Sequence, residues 1–249
     1  MTQPILSVTG ISKSFGGVRA VDDVSFTLCR GEMLALIGPN GAGKSTCFNL
    51  IGGQRRPDSG RITLVDRDIT GLAPSRLARL GIGRSFQIAE TFASMTVREN
   101  VQLALLTHRK QIWRFIRPTS CRLVSQADYI LGRLDLLPQA DIQAGVLAYG
   151  DVKRLELALA LAGEPMLLLM DEPTAGMAPA ERTALMRLVR LLATEHGLAV
   201  LFTEHDMDAV FGAADRILVL DRGRLIAQGD PIAIRSNPLV RAVYLGEDA

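Results

Sequence analysis

A glycine-rich segment at residues 38–45, GPNGAGKS, fits the pattern G-x-x-x-x-G-K-[ST]. It follows an apolar run, residues 33–37, that predicts a buried strand, and it opens a helical pattern. Glycines let backbone N–H groups converge on phosphate oxygens, and a helix start adds the positive end of its dipole. Lys44 would place its charge at the β and γ phosphates, and the Ser45 hydroxyl would bind Mg²⁺. The segment therefore predicts a site for a nucleotide phosphate chain.

Two carboxylates follow a second apolar run, at residues 166–170. Open α/β sheets bind ligands at the carboxyl ends of their strands. Asp171 would hold the magnesium ion, and Glu172 would polarise a water molecule for attack on the γ-phosphate. An acidic pair in this position is, on its own, equally consistent with a solvated turn, and the phosphate loop is what favours the catalytic interpretation.

With these two segments, the chain resembles the ATP-binding-cassette ATPases from about residue 5 to residue 228. The resemblance implies ATP and Mg²⁺ as cofactors, and ATP hydrolysis as the activity. The loop residues that it assigns to the nucleotide are Gly38, Pro39, Asn40, Gly41, Ala42, Gly43, Lys44, Ser45 and Thr46.

Three further segments match the family in order and spacing. Residues 81–87, GIGRSFQ, resemble the glutamine loop, which implies that Gln87 reaches the magnesium and the attacking water. His205, in residues 203–206, resembles the switch histidine that touches the γ-phosphate, and Phe15 matches the aromatic that stacks on adenine. Taken singly, these residues could be a surface amide, a structural histidine and a core phenylalanine.

Residues 147–151, LAYGD, occupy the position of the family signature. The resemblance implies that two chains close head to tail, so that this segment caps the nucleotide held by the opposite chain. The residues acting in trans would be Ala148, Tyr149, Gly150 and Asp151.

Three positions depart from the usual family pattern. Ala148 and Asp151 stand where relatives usually have Ser and Gln, and Ala178 stands where many have an aspartate. Ala148 removes a hydroxyl donor, and Asp151 would direct a negative charge towards the triphosphate. We therefore expect unequal ATP sites in a heterodimer with a sister subunit, although a homodimer remains possible.

The elements that must position these residues form an α/β fold with a mainly parallel sheet. Apolar runs at 33–37, 166–170 and 198–203 predict strands covered on both faces. Alternation at 5–9 and 24–28 predicts earlier strands, which the family resemblance places in an N-terminal antiparallel β subdomain.

Helical spacing dominates from about residue 88, which predicts an inserted helical subdomain. We expect one ABC ATPase domain spanning 1–249. Its parts would be a nucleotide-binding core at 1–87 and 161–229, a helical signature lobe at 88–160 and a C-terminal helix at 230–249.

The tail at residues 228–247 and the signature look most like the ATP-binding subunits of bacterial branched-chain amino-acid importers, a subgroup that includes importers of amides, urea and aromatic acids. This resemblance implies integral membrane permease subunits and a sister ATP-binding subunit as partners, with a periplasmic solute-binding protein acting indirectly. It also implies peripheral attachment at the cytoplasmic face of the cell membrane.

Charge and its distribution bear on which partners and functions are to be expected. A net charge of +2 gives no reason to expect nucleic acid as a partner. The local basic excess between residues 108 and 133 is consistent with a solvated helical face or with contact to anionic lipid or a membrane partner. Two other functions remain open: a soluble, non-transport ABC ATPase that uses nucleotide as a regulatory ligand, and, less well supported, a P-loop kinase or GTPase.

Overall fold

The structure is a computed structural model that describes residues 3–85, 91–108 and 121–245. Within these residues the strands are β1 Pro4–Phe15, β2 Val18–Cys29, β3 Met33–Ile37, β4 Ser59–Leu64, β5 Arg67–Asp68, β6 Ile82–Ser85, β7 Leu167–Asp171, β8 Ala199–Thr203, β9 Arg216–Asp221 and β10 Arg224–Gly229. The helices are α1 Lys44–Ile51, α2 Pro74–Arg79, α3 Val97–His108, α4 Cys121–Gly132, α5 Tyr149–Leu161, α6 Pro179–His196, α7 Met207–Ala213, α8 Pro231–Ser236 and α9 Pro238–Val240.

A six-stranded sheet with the order β10-β9-β3-β8-β7-β6 forms the centre of the molecule. Its pairs are parallel except for β9 with β10. Every residue of β3 and β8 is buried, as expected for strands that are covered on both faces. Because β3, β7 and β8 are parallel, their carboxyl ends meet at one edge, which carries the phosphate loop, the acidic pair and residues 203–206.

A second, four-stranded sheet has the order β2-β1-β4-β5, and its pairs are antiparallel. Strands β1 and β2 are 12 residues long, and register shifts interrupt their pairing. Apolar side chains from this sheet, from one face of the parallel sheet and from α1 pack together in one hydrophobic core. The α/β fold with a mainly parallel sheet and an N-terminal antiparallel part is therefore confirmed.

Helices α3, α4 and α5 pack together and bury their apolar faces in the same core as the other face of the parallel sheet. Helical packing over this stretch agrees with the predicted insertion, whereas the boundaries at residues 88 and 160 stay predictions. None of the helices in the described ranges is both long enough and apolar enough to cross a bilayer.

Two local features differ from the sequence prediction. Beyond residue 230 the structure has α8, then α9 and a π-helical turn, Arg241–Leu245, instead of one C-terminal helix. The break falls at Asn237, because Pro238 cannot continue the preceding helix and the Asn237 side chain accepts hydrogen bonds from the N–H groups of Leu239 and Val240. Strand β6 also lies within residues 81–87, for which the family resemblance implies a loop.

Candidate functional site

The phosphate loop connects β3 to α1 in a conformation that glycine alone tolerates at two points. Gly38 has φ +149° and Gly43 has φ +101°. A Cβ atom would lie 2.1 Å from the Leu220 carbonyl oxygen at the first position and 2.2 Å from the Ala20 carbonyl oxygen at the second. The loop is thus closely packed between β9 and β2, and its glycines are a steric requirement.

Lys44 begins α1, and its side chain folds back over the loop. Its ammonium donates to the carbonyl oxygens of Gly38, at 2.6 Å, and Pro39, at 3.0 Å. Burial lowers the pKa of Lys44, while the nearby charges of Glu172 and Asp171 act in the opposite direction. The lysine predicted from the loop pattern and the two predicted carboxylates are therefore near enough for their charges to interact.

The C-terminal turn of the chain also reaches this loop. The Tyr244 phenol packs at the edge of the core, and its oxygen faces the backbone N–H of Gly38. Burial raises the pKa of Tyr244, and the hydrogen bond from Gly38 opposes that effect. The sequence pattern gave no sign of this contact, because it joins the last residues to an early loop.

Asp171 ends β7 and is held from one side by the neighbouring strand. The Thr203 hydroxyl, at the end of β8, donates to Asp171 Oδ1 at 2.7 Å. The parallel register pairs these two residues directly. The sequence pattern does not predict this role for Thr203, because it does not show that β8 lies next to β7.

Glu172 adopts a backbone conformation that is rare for a residue with a side chain. Its φ is +50°, and its N–H is held by the Thr203 carbonyl at 3.2 Å and by the Thr203 hydroxyl at 3.1 Å. Residues held in this way are frequent at functional sites, where the surrounding structure offsets the strain. The conformation presents the Glu172 carboxylate towards residues 203–206.

His205 completes the arrangement. Its Nε2 atom lies 2.9 Å from Glu172 Oε1. Both side chains retain exposure, 28% for Glu172 and 47% for His205, so this pair is open to a ligand. The structure therefore brings together Lys44, Asp171, Glu172 and His205, which the sequence analysis assigned separately.

A buried glutamate, Glu204, accepts a hydrogen bond from the backbone of this histidine. Glu204 accepts hydrogen bonds from the Thr174 N–H at 2.8 Å and the Thr174 hydroxyl at 2.7 Å. The second oxygen of Glu204 accepts from the His205 N–H at 3.3 Å. Thr174 and Glu204 are both almost fully buried, so these bonds tie the segment after β7 to the segment after β8.

The oxygen donors at this edge fit a magnesium ion. Ser45, one residue into α1, is exposed, and Asp171 supplies a carboxylate at the end of β7. Throughout residues 3–85, 91–108 and 121–245, no three His, Cys, Asp or Glu side chains form a group that could hold a metal ion. Mg²⁺ is commonly bound by one or two protein groups together with substrate phosphates and water. Gln87, the third predicted ligand, lies outside the described residues.

Phe15, at the end of β1, has a ring that is 43% exposed. The Lys13 ammonium lies 5.7 Å from its centroid and the Arg55 guanidinium 6.0 Å. An exposed aromatic ring is suited to stacking on the flat base of a nucleotide, and the cations beside it favour a negatively charged ligand.

The signature residues lie at the start of α5. Ala148 precedes the helix, and Asp151 is in its first turn, where a negative charge favours the helix. The Tyr149 hydroxyl donates to the Ala175 carbonyl at 2.9 Å, and the Gly150 Cα faces the Glu181 carboxylate. This segment therefore contacts residues that follow β7 and begin α6.

Comparison with known proteins places this site in a family. Residues 21–175 match the family model described as ABC transporter, which is more than half of the chain. The chain belongs to the ABC transporter family. A second model, described as branched-chain amino acid ATP-binding cassette transporter, matches residues 224–249.

Curated relatives match over their full length. The high-affinity branched-chain amino acid transport ATP-binding protein LivG of Escherichia coli (strain K12) is 42% identical, and the alignment covers 99% of this chain and 100% of the relative. The corresponding protein BraF of Pseudomonas aeruginosa is 38% identical with the same coverage.

Solved structures similar to this chain are also ATP-binding cassettes. The ADP conformation of MJ1267, an ATP-binding cassette of an ABC transporter, gives a TM-score of 0.87 at 33% identity and covers 99% of this chain and 100% of that one. A dimeric post-hydrolysis state of the cassette MJ0796, bound to ADP and phosphate, gives 0.75 at 26% identity and covers 91% and 98%. The chain is thus an ATP-binding cassette and an ATPase, as the sequence predicted, and the kinase or GTPase alternative is wrong.

Proposed function

We propose that this chain is the ATP-hydrolysing subunit of a bacterial importer for branched-chain amino acids or related small polar solutes such as amides, urea or aromatic acids. The observation that carries this cargo class is the match of residues 224–249 to the branched-chain amino acid cassette model. The names of the relatives LivG and BraF agree with it.

In the proposed site, the loop at residues 38–46, through the backbone N–H groups of its residues other than Pro39, and the Lys44 ammonium hold the triphosphate, and the Phe15 ring stacks on adenine. Ser45, Asp171 and Gln87 would hold Mg²⁺. When bound, the ion would neutralise charge on the phosphate oxygens. The support for this arrangement is the proximity of Lys44 to Asp171 and Glu172 at one edge of the parallel sheet.

Glu172 acts as the base that polarises the attacking water. The His205 ring nitrogen, 2.9 Å from Glu172 Oε1, orients this carboxylate and lies where it would contact the γ-phosphate. The strained backbone of Glu172 and its two hydrogen bonds to Thr203 hold the carboxylate in place before substrate binds.

The nucleotide is proposed to bind at a head-to-tail dimer interface, with residues 148–151 closing over the phosphates of the opposite chain. Tyr149 is 51% exposed, and the N-terminus of α5 would present the positive end of the helix dipole to an anion. Hydrolysis replaces one shared triphosphate by two anions that repel each other, which favours opening of the dimer. The partners are integral membrane permease subunits and a sister ATP-binding subunit, with a periplasmic solute-binding protein acting indirectly, at the cytoplasmic face of the membrane.

Reconstitution tests the proposal. The complex that co-purifies with this chain is placed in proteoliposomes containing internal ATP, and uptake of labelled leucine, isoleucine and valine is measured with the solute-binding protein outside. We expect uptake that requires ATP, and uptake competed by one of the related solutes would refine the cargo. Purification of the chain from cells without any membrane protein would favour the soluble, regulatory alternative and contradict the proposal.

A further inference from the structure

Arg84 is a half-buried cation beside the acidic strand end. It is the third residue of β6 and pairs in parallel register with Leu169 of β7. Paired residues of adjacent strands direct their side chains to the same face, and so do residues two apart in one strand. Arg84, Leu169 and Asp171 therefore share one face of the sheet, the face that α1 covers.

The Arg84 guanidinium lies between α1 and Asp171. Its Nη2 atom donates to Asn49 Oδ1 at 3.1 Å and lies 3.8 Å from Asp171 Oδ2. Asn49 is four residues after Ser45, which places both on the same side of α1. Arg84 therefore contacts the carboxylate and the helix face that would hold the magnesium ion.

Packing restricts the guanidinium to this position. A Cβ atom on Gly52, at the end of α1, would lie 2.7 Å from Arg84 Nη1. Burial lowers the pKa of Arg84, and the negative charge of Asp171 opposes that effect. An arginine keeps its proton even so, because its unperturbed pKa is far above neutral.

Two of the guanidinium nitrogens have no hydrogen-bond partner among residues 3–85, 91–108 and 121–245. Nε and Nη1 are buried without a hydrogen bond to the described residues. Buried donors without partners destabilise a fold, and an apolar side chain of similar shape would avoid that cost. The stability of the fold is therefore a poor explanation for an arginine at this position.

We propose that Arg84 is a positioning residue that orients the Asp171 carboxylate for magnesium binding. The Thr203 hydroxyl holds Oδ1, and Arg84 faces Oδ2, so the two groups restrict rotation of the carboxylate from opposite sides. Through Asn49, Arg84 also fixes the distance between this carboxylate and the helix that carries Ser45. The inference rests on the proposed roles of Asp171 and Ser45.

The test measures binding and requires no turnover. In a Glu172→Gln parent, the ATP affinity of the full chain is determined by calorimetry with saturating Mg²⁺ and with EDTA, and the ratio gives the enhancement by magnesium. Replacing a group that supports a metal ligand costs about 10-fold to 100-fold in metal affinity. We expect Arg84→Met to reduce the enhancement by about tenfold while affinity in EDTA stays within about twofold. Binding of Mn²⁺ to the nucleotide-loaded protein, followed by electron paramagnetic resonance, should weaken in parallel.

Matched variants separate positioning from folding. Arg84→Lys keeps the charge but lacks the planar fork that reaches two partners, so we expect an intermediate enhancement. Arg79→Met, the same type of change at an exposed position, should retain the parent value. An unchanged enhancement in Arg84→Met, or an equal loss with and without magnesium, would overturn the inference. Absence of ATP binding by the parent protein itself would overturn the proposed function, and this inference with it.

Discussion

The edge of the parallel sheet and the start of α5, which we propose carry the two halves of the nucleotide site, differ in how far contacts within one chain hold their side chains. At the sheet edge, the charges of Lys44, Asp171 and Glu172 interact, Lys44 donates to carbonyls of its own loop, and Thr203 of the neighbouring strand bonds to Asp171 and Glu172. At the start of α5, Tyr149 is exposed and Asp151 is partly buried, and the Tyr149 hydroxyl donates a hydrogen bond to the Ala175 carbonyl. The side chains of the first region are therefore held within one chain, whereas the second is proposed to act on a nucleotide held by another chain.

The largest effect is expected at Lys44. In Lys44→Ala, the triphosphate loses a charged donor, and hydrogen bonds to charged groups contribute about 1.5–3 kcal/mol, or about 10-fold to 150-fold in affinity. Fluorescent ATP titration of the purified chain measures this loss. Exposed Arg79→Ala serves as the control and should bind like the wild type. If Lys44→Ala bound ATP with unchanged affinity, the loop would not be the phosphate site.

Thr203 tests whether order at the sheet edge matters for turnover. Thr203→Val has the same shape but removes the donor to Asp171 and one acceptor for the Glu172 N–H. We expect turnover in the assembled complex to fall by about tenfold. Thr203→Ser retains the hydroxyl and should stay near the wild-type rate. Equal rates in Thr203→Val and Thr203→Ser would show that these bonds do not support catalysis.

Asp151 tests whether the start of α5 acts on a nucleotide held by the opposite chain. At about 8 Å and an effective dielectric of about 20, its charge repels each phosphate charge by about 2 kcal/mol before solvent screening. Asp151→Asn should therefore raise ATP affinity a few-fold in the complex with the sister subunit, and leave affinity in the isolated chain unchanged. Exposed Asp135→Asn is the matched control. A gain in the isolated chain would contradict a role in trans.

The smallest effect is expected from Tyr149→Phe. The change removes the hydroxyl that donates to Ala175, a bond of about 1 kcal/mol at most at an exposed position. The melting temperature of the isolated chain should fall by no more than about 2–4 °C. A larger drop in thermal unfolding would show that the start of α5 is as firmly held as the sheet edge, and the contrast between the two regions would fail.

The sequence predicted the parts of this molecule that depend on neighbours along the chain. The phosphate loop follows from glycine spacing and from the apolar run before it, and the acidic pair follows from the run before Asp171. Strands β3, β7 and β8 were predicted because strands that are buried on both faces are continuously apolar.

The rest depends on the order of strands, which no local pattern specifies. Thr203 and Arg84 acquire their roles only because β8 and β6 flank β7. Strand β6 escaped prediction because Gly83 and Arg84 interrupt its alternation. The break at Asn237, by contrast, has a local cause in Pro238 and was open to prediction.

Phosphate release by Glu172→Gln in the assembled complex, compared with wild type, tests the central claim most directly. A general base contributes about 10²-fold to 10⁴-fold to a rate, so we expect release to fall at least about 100-fold while ATP affinity is retained. Release at the wild-type rate would show that Glu172 does not activate the attacking water, and the account of this site would be wrong.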